Sequence, residues 1–248
     1  MMFRSVYIQR TCKYKLSGFH RKGLTYVRVC NDVLHTFSPE FRRGKRSVTV
    51  EFGVIPLSIG IGSLVLGTYR LDQFTTDNHA YEGGWKINTS KEESVRHCVD
   101  SMVSLVDEHL IPLFDRCKNC SAALNEMIQL DKHFHENRMT MLRRENIADA
   151  AEYWENISLS DHNKYFMALK AKNYEYAQRH IDRRIFLCEA LLQDDTQPEF
   201  VIDRTIEEYA VLNEQRSKLF LEDFRYFEDM VAKGEDISMA FLQVKNVL

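Results

Sequence analysis

Ser47-Val48-Thr49-Val50-Glu51-Phe52-Gly53-Val54 decides the first half of the fold. Val48, Val50, Phe52 and Val54 fall on one side of an extended chain, with Thr49 and Glu51 on the other. That period of two is the mark of a β-strand. The apolar side needs a cover, and helices are the expected one. Upstream, Thr25-Tyr26-Val27-Arg28-Val29 and Val33-Leu34-His35-Thr36-Phe37 flank Asn31-Asp32, a turn-forming pair, and predict a hairpin. Residues 3–16 read as an amphipathic helix that stops before Gly18. Downstream, a strand is predicted near residues 67–71 and a short one at Trp85-Lys86-Ile87.

Near residue 90 the period changes. Ser90-Lys91-Glu92-Glu93 has the form of a capping box. Val95, Val99, Met102, Val106 and Leu110 then recur once per turn, until Pro112 breaks or kinks the helix. Helices are predicted over residues 122–142, 147–154, 161–171 and 174–192, and over one long element, 198–233, with Pro198 at its start and Gly234 as its stop. The segment from Tyr165 to Ala177 resembles the turn between paired helices of a tetratricopeptide repeat, but no second copy stands at a period of about 34 residues. The fold class is therefore α+β. An N-terminal antiparallel sheet with flanking helices occupies residues 1–120, and an all-helical bundle with a tetratricopeptide-like hairpin occupies 121–248. No Gly/Ser/Pro-rich linker separates them, so the two parts are expected to be docked.

The composition fits this. Of 248 residues 44 % are hydrophobic and 28 % charged, which excludes a disordered or fibrous chain. The net charge of −3 hides a polarity. Residues 1–50 hold eleven Lys and Arg against Asp32 and Glu40, whereas the remaining 198 residues hold 22 bases against 34 acids. Opposite charge within one chain is its own nearest partner, so the two parts are expected to attract each other; an anionic partner is the alternative. Six cysteines at 12, 30, 98, 117, 120 and 188 are too dilute for a disulfide framework. Residues 1–7 lack the apolar run of a signal peptide, so a cytoplasmic setting with reduced thiols is expected. Residues 52–69 carry no charge, yet five Gly or Pro residues favour two β segments over a membrane span.

The motifs that could carry chemistry are sparse. Cys117-Lys118-Asn119-Cys120 is a lone CxxC; zinc needs four ligands, and a redox role needs a preceding strand, so two incidental thiols are expected. His133 and His135 point about 200° apart on a helix and cannot chelate together, while Asp131 and His135 are spaced for a surface hydrogen bond. No nucleophile elbow, phosphate loop, HExxH or dinucleotide fingerprint is present. Arg42-Arg43-Gly44-Lys45-Arg46 is the one dense cationic stretch: Arg42, Arg43, Lys45 and Arg46 are the candidate binding residues for an anionic partner, and a solvated loop that keeps a sheet edge soluble is the alternative. Leu219 to Phe227 carries aromatics at i, i+4 and i+7, a spacing usual for core.

Gly18-Phe19-His20-Arg21-Lys22-Gly23, Tyr26, the Phe52-Gly53-Val54 strand end, Tyr69-Arg70-Leu71, Trp85 and Glu92-Glu93-Ser94 running into Leu110-Ile111-Pro112-Leu113-Phe114 resemble a bacterial family, domain of unknown function 4304, over residues 10–120. The resemblance implies an α+β N-terminal domain in a bacterial cytoplasm and carries no functional residues. Phe52 stands where the family has a polar residue, and a second Trp near Trp85 is absent.

The expected function is binding, with another protein as partner, possible forms being an accessory or toxin-neutralising protein; no cofactor, metal or membrane is implied. The alternatives are a hydrolase or nuclease-like enzyme with dispersed active-site residues, motivated by the basic sheet edge together with Asp32, His35 and Trp85 while no catalytic residue is assigned, and a non-catalytic nucleic-acid binder using the basic sheet.

Overall fold

The computed structural model describes residues 2–42, 47–62, 69–74, 84–144, 159–194 and 196–247. Helix α1 (Met2–Thr11) buries Phe3, Val6 and Tyr7 and tightens into a 3₁₀ turn, Cys12–Ser17. Gly18 ends it with φ 80°, where a side chain would be strained, and its N–H donates to the Lys15 carbonyl at 3.2 Å. Strands β1 (His20–Lys22), β2 (Thr25–Cys30), β3 (Val33–Arg42) and β4 (Ser47–Pro56) follow. The short β5 (Tyr69–Arg70) and β6 (Trp85–Lys86) both pair with β4, so Gly67 and Thr68 of the predicted fifth strand lie outside the described residues. All pairings are antiparallel, in the order β1-β2-β3-β4-β5 with β6 beside β4. The Asn31-Asp32 turn joins β2 to β3, with Cys30 opposite Val33 and Asn31 at φ 50°.

The alternation in β4 is one of polarity and not of exposure. Val48, Val50, Phe52 and Val54 are buried as read, but Thr49 on the other side is fully buried as well. Its hydroxyl donates to the buried Asp72, which Arg70 also pairs with. Farther along the same face, Val27, Leu34 and Ile55 pack against Leu242 and Val247 near the C-terminus. Helices thus cover both sides of the sheet.

The first face is sealed by α1 and by a helical run from residue 92. That run comprises α2 (Glu92–Leu105), a π turn (Val106–Leu110) and α3 (Ile111–Arg116). The stripe Val95, Val99, Met102, Val106 and Leu110 is buried throughout. Pro112 does not end the helix. It has no N–H to offer the Glu108 carbonyl and its ring crowds that oxygen, so the helix widens through the π turn and continues. The predicted capping box is absent: the N–H and the hydroxyl of Ser90 both donate to Asn88 Oδ1, and the helix begins at Glu92, which puts Ser90 one residue ahead of the capping position. Lys91 precedes the first turn instead, with no side-chain cap.

The remainder is helical: α4 (Cys120–Arg144), α5 (Leu159–Lys170), α6 (Tyr174–Leu192), α7 (Glu199–Phe220) and α8 (Phe224–Val244). The predicted helix over 147–154 lies outside the described residues. The long element read over 198–233 is two helices, broken at Glu222 with φ 54°. Gly234 is not a stop. It sits inside α8 where a Cβ would come within 1.8 Å of the Ser58 carbonyl oxygen, so glycine lets the helix lie directly on the 3₁₀ turn Leu57–Ile59. One turn on, buried Ser238 donates to the Leu57 carbonyl at 2.5 Å and accepts from Ile61 N–H at 2.7 Å. One buried cluster runs from Phe3 and Tyr26 through Phe52 and Phe114 to Tyr165, Ile181 and Phe227.

Charge polarity is used internally. Arg10 pairs with Asp100 at 2.8 Å, Lys13 with Asp107, and Arg28 with Asp115 at 2.9 Å. These join the basic start of the chain to the α2–α3 run. Among the described residues no helix is long and apolar enough to cross a membrane.

Candidate interaction surface

Arg42 closes β3 opposite Ser47, while Arg43, Lys45 and Arg46 lie outside the described residues.

Cys117-Lys118-Asn119-Cys120 joins α3 to α4 and is a latch onto the β2–β3 turn. Arg28 Nε donates to His35 Nδ1 at 3.2 Å, which leaves the proton on Nε2 to donate to the Cys117 carbonyl at 2.8 Å. Asn31 Nδ2 donates to the Lys118 carbonyl, and Cys120 N–H donates to Asp32 Oδ1, both at 2.9 Å. Asp32 therefore satisfies a donor in the first turn of α4 from a distant turn, where negative charge is favourable. Both thiols are free and buried. Burial pushes the Cys117 thiol up to about 12, and burial together with the Asp32 carboxylate pushes the Cys120 thiol up as well. Thiols so held are poor nucleophiles and poor metal ligands. Burial also drives His35 down to about 4, so its imidazole is neutral. Of Asp32, His35 and Trp85, the first two share the 117–120 connection and Trp85 stands apart. His35 and Trp85 lie opposite Val54 and Val48 of β4, a span of about 20 Å along the strand.

A second polar cluster joins the sheet to the bundle. Asp131 accepts from the Tyr69 hydroxyl at 2.7 Å and from Lys164, which also pairs with Asp161 at 2.7 Å. Burial lowers the Lys164 ammonium's preference for charge, but the Asp131 and Asp161 carboxylates more than offset it, leaving the pKa above its ordinary value. This lysine is a fixed cation. His133 Nε2 faces Asn137 Nδ2 at 3.1 Å, and His135 is exposed. Among the described residues no group of three His, Cys, Asp or Glu could hold a metal ion.

What remains is the surface of the last three helices. The turns that open α6 and α8 are built alike. Lys172 and Glu222 both take positive φ, at 55° and 54°, and the next N–H reaches back to the carbonyl of Ala168 or Lys218. Asn173-Tyr174 and Asp223-Phe224 follow, and the Tyr174 and Phe224 rings stack at 4.2 Å. The tetratricopeptide-like turn thus has a structural counterpart 50 residues on, invisible to a search at a shorter period.

Helices α6 and α7 meet along Ile181, Ile185 and Cys188 on one side and Thr205, Leu212 and Leu219 on the other. Arg184 with Glu208, Arg216 with Asp182 at 3.0 Å, and the Tyr209 hydroxyl on Glu189 at 3.1 Å flank that seam. His180 stacks on Tyr165 at 5.0 Å, and burial drives it to about 4.

Outside the seam, apolar side chains meet solvent: Phe186 is 67 % exposed, Phe200 73 %, Ile206 52 % and Phe220 86 %. The aromatic run at 219–227 divides accordingly. Phe227 is core and Phe224 half-buried, but the break at Glu222 turns Phe220 outward. Sequence reading missed this surface. The available signal was that Phe200, Ile206 and Val211 fall off the row that carries Thr205, Leu212 and Leu219.

No family model, curated protein or solved structure matches the chain. The likeness of residues 10–120 to the bacterial family stays a resemblance.

Proposed function

We propose that this chain is a protein-interaction protein whose docking surface is carried by its last three helices. One observation carries the reading. Among the described residues, ten of the eleven large apolar side chains that are exposed lie between Phe186 and Val244; the eleventh is Leu16. Scattered exposed hydrophobics are normal on a monomer, whereas concentration on one part of the chain marks a partner surface. The fixed roles of His35, Cys117, Cys120 and Lys164 agree with it, because each is committed to holding elements together. An accessory or toxin-neutralising protein would be one form of such a function. Nucleic-acid binding has less support, since Arg10, Lys13 and Arg28 are spent on internal carboxylates.

The test is quantitative capture from native lysate with the natural chain beside a variant carrying Phe186→Ser, Phe200→Ser and Phe220→Ser. These side chains are exposed, so the variant is expected to keep its helical dichroism. A stoichiometric protein retained by the natural chain and lost by the variant supports the reading. Identical captures from both would sink it.

A further inference from the structure

Helix α7 turns a row of acids outward. Glu199, Asp203, Glu207 and Glu214 recur at i, i+4, i+8 and i+15, which keeps them along one line of the helix, and all are exposed. Ala210 continues the line at i+11. At about 100° per residue, Ile206 borders the row on one side and Phe200 and Val211 on the other. The three are exposed by 52 %, 73 % and 50 %. The buried residues Thr205, Leu212, Gln215 and Leu219 occupy the opposite side. Among the described residues Glu199, Asp203 and Glu207 enter no ion pair or hydrogen bond, whereas neighbouring Glu208 is held by Arg184. Like charges four apart on a helix repel, so the row is a standing cost that a cation laid along it would relieve.

We propose that this face of α7 docks a cationic amphipathic helix of a partner protein. The partner's apolar anchors seat on Phe200, Ile206 and Val211, and its Lys or Arg side chains lie against Glu199, Asp203 and Glu207. The inference rests on the protein-interaction reading and gives that partner its chemistry. Three apolar side chains supply the area. The acid row supplies register and rejects anionic competitors, among them phosphate backbones and acidic membrane surfaces. A helix is the matching shape because the surface is one helical ridge and offers no sheet edge.

The test uses the full chain and fluorescence anisotropy with two labelled probes, an amphipathic Leu–Lys peptide helix and its Leu–Glu counterpart of equal length. The Leu–Lys probe is expected to bind and the Leu–Glu probe to bind far more weakly. Combined Glu199→Lys, Asp203→Lys and Glu207→Lys is expected to weaken Leu–Lys binding by about tenfold or more and to strengthen Leu–Glu binding. A control with Glu40→Lys, Glu93→Lys and Glu108→Lys changes net charge equally at exposed sites outside the last three helices and is expected to leave the Leu–Lys affinity within about twofold. Equal losses in both variants, or no Leu–Lys binding at ~100 µM, would overturn the proposal. So would sedimentation showing a dimer of the natural chain that the α7 reversal dissociates, since the face would then belong to a second copy. If the Phe→Ser variant loses a native partner while charge reversal changes nothing, the partner chemistry fails and the interaction reading stands.

Discussion

At the scale of single residues, Gly234 and Ser238 fix how α8 meets the sheet. Gly234→Ala would drive a methyl group into the Ser58 carbonyl and force the helix off its turn, at a cost of about 3 kcal/mol. Ser238→Ala would strand the Ile61 N–H and leave the Leu57 carbonyl with the Gly60 N–H alone, for about 2 kcal/mol. Urea unfolding of both variants checks the values. Neither role was legible in the sequence, where Gly234 reads as a helix stop, because the close approach is made by a segment about 175 residues away. His35 sets a pH dependence. Its pKa falls from an ordinary 6.5 to about 4 on folding, so the unfolded chain takes up the proton first. Its contribution is complete above pH 6.5 and is lost as pH falls through 4, up to about 3 kcal/mol in all. Urea midpoints of the natural chain are expected to drop between pH 7 and pH 4.5, and those of His35→Gln to drop less. An equal drop in both would assign the acid sensitivity elsewhere, His180 being the next group with the same displacement.

At the scale of elements, the two matching turns differ in their caps. Asn173 Oδ1 accepts from Tyr176 N–H at 3.1 Å, whereas the Asp223 carboxylate makes no side-chain cap to α8 and pairs with half-exposed Lys218 at 2.9 Å. Asn173→Ala is expected to cost about 1 kcal/mol and Asp223→Ala less, measured as shifts in thermal midpoint. Relief of the left-handed backbone at Glu222 should make Glu222→Gly stabilising by about 0.5 kcal/mol. Strand β4 and the stripe from Val95 to Leu110 were readable because side-chain polarity in the first, and burial in the second, repeats with the geometry of the element itself. The π turn before Pro112 and the break at Glu222 were not. Proline fixes what the helix loses, and only the packing of α2 against α1 and the sheet decides whether it stops or widens.

At the scale of the molecule, the change of period near residue 90 divides the chain into a sheet part and a helical part, and the core then ignores that division. Val27 and Ile55 from the sheet share a cluster with Leu242 and Val247, and Tyr69 reaches Asp131 of α4. Unfolding is therefore expected to be one cooperative transition, coincident by helical dichroism and by the near-ultraviolet signal of the aromatic cluster around Tyr26, Phe37 and Phe114. Two separated transitions would contradict a shared core. The charge polarity was legible as an attraction, but its partners were not: Arg10, Lys13 and Arg28 find Asp100, Asp107 and Asp115. The candidate surface on α7 was illegible for the same reason, since an exposed Phe200 and a buried Leu212 look alike until a neighbouring helix covers one of them.

The amino-acid order alone determined the class of fold, the strand and helix rhythms and the Asn31-Asp32 hairpin turn, because these depend on patterns that each segment carries within itself. Tertiary structure decided which apolar side chains are core and which are surface, which acids are paired, and why a glycine stands inside α8. Those properties depend on what approaches each segment from elsewhere in the chain, and no local pattern encodes that approach.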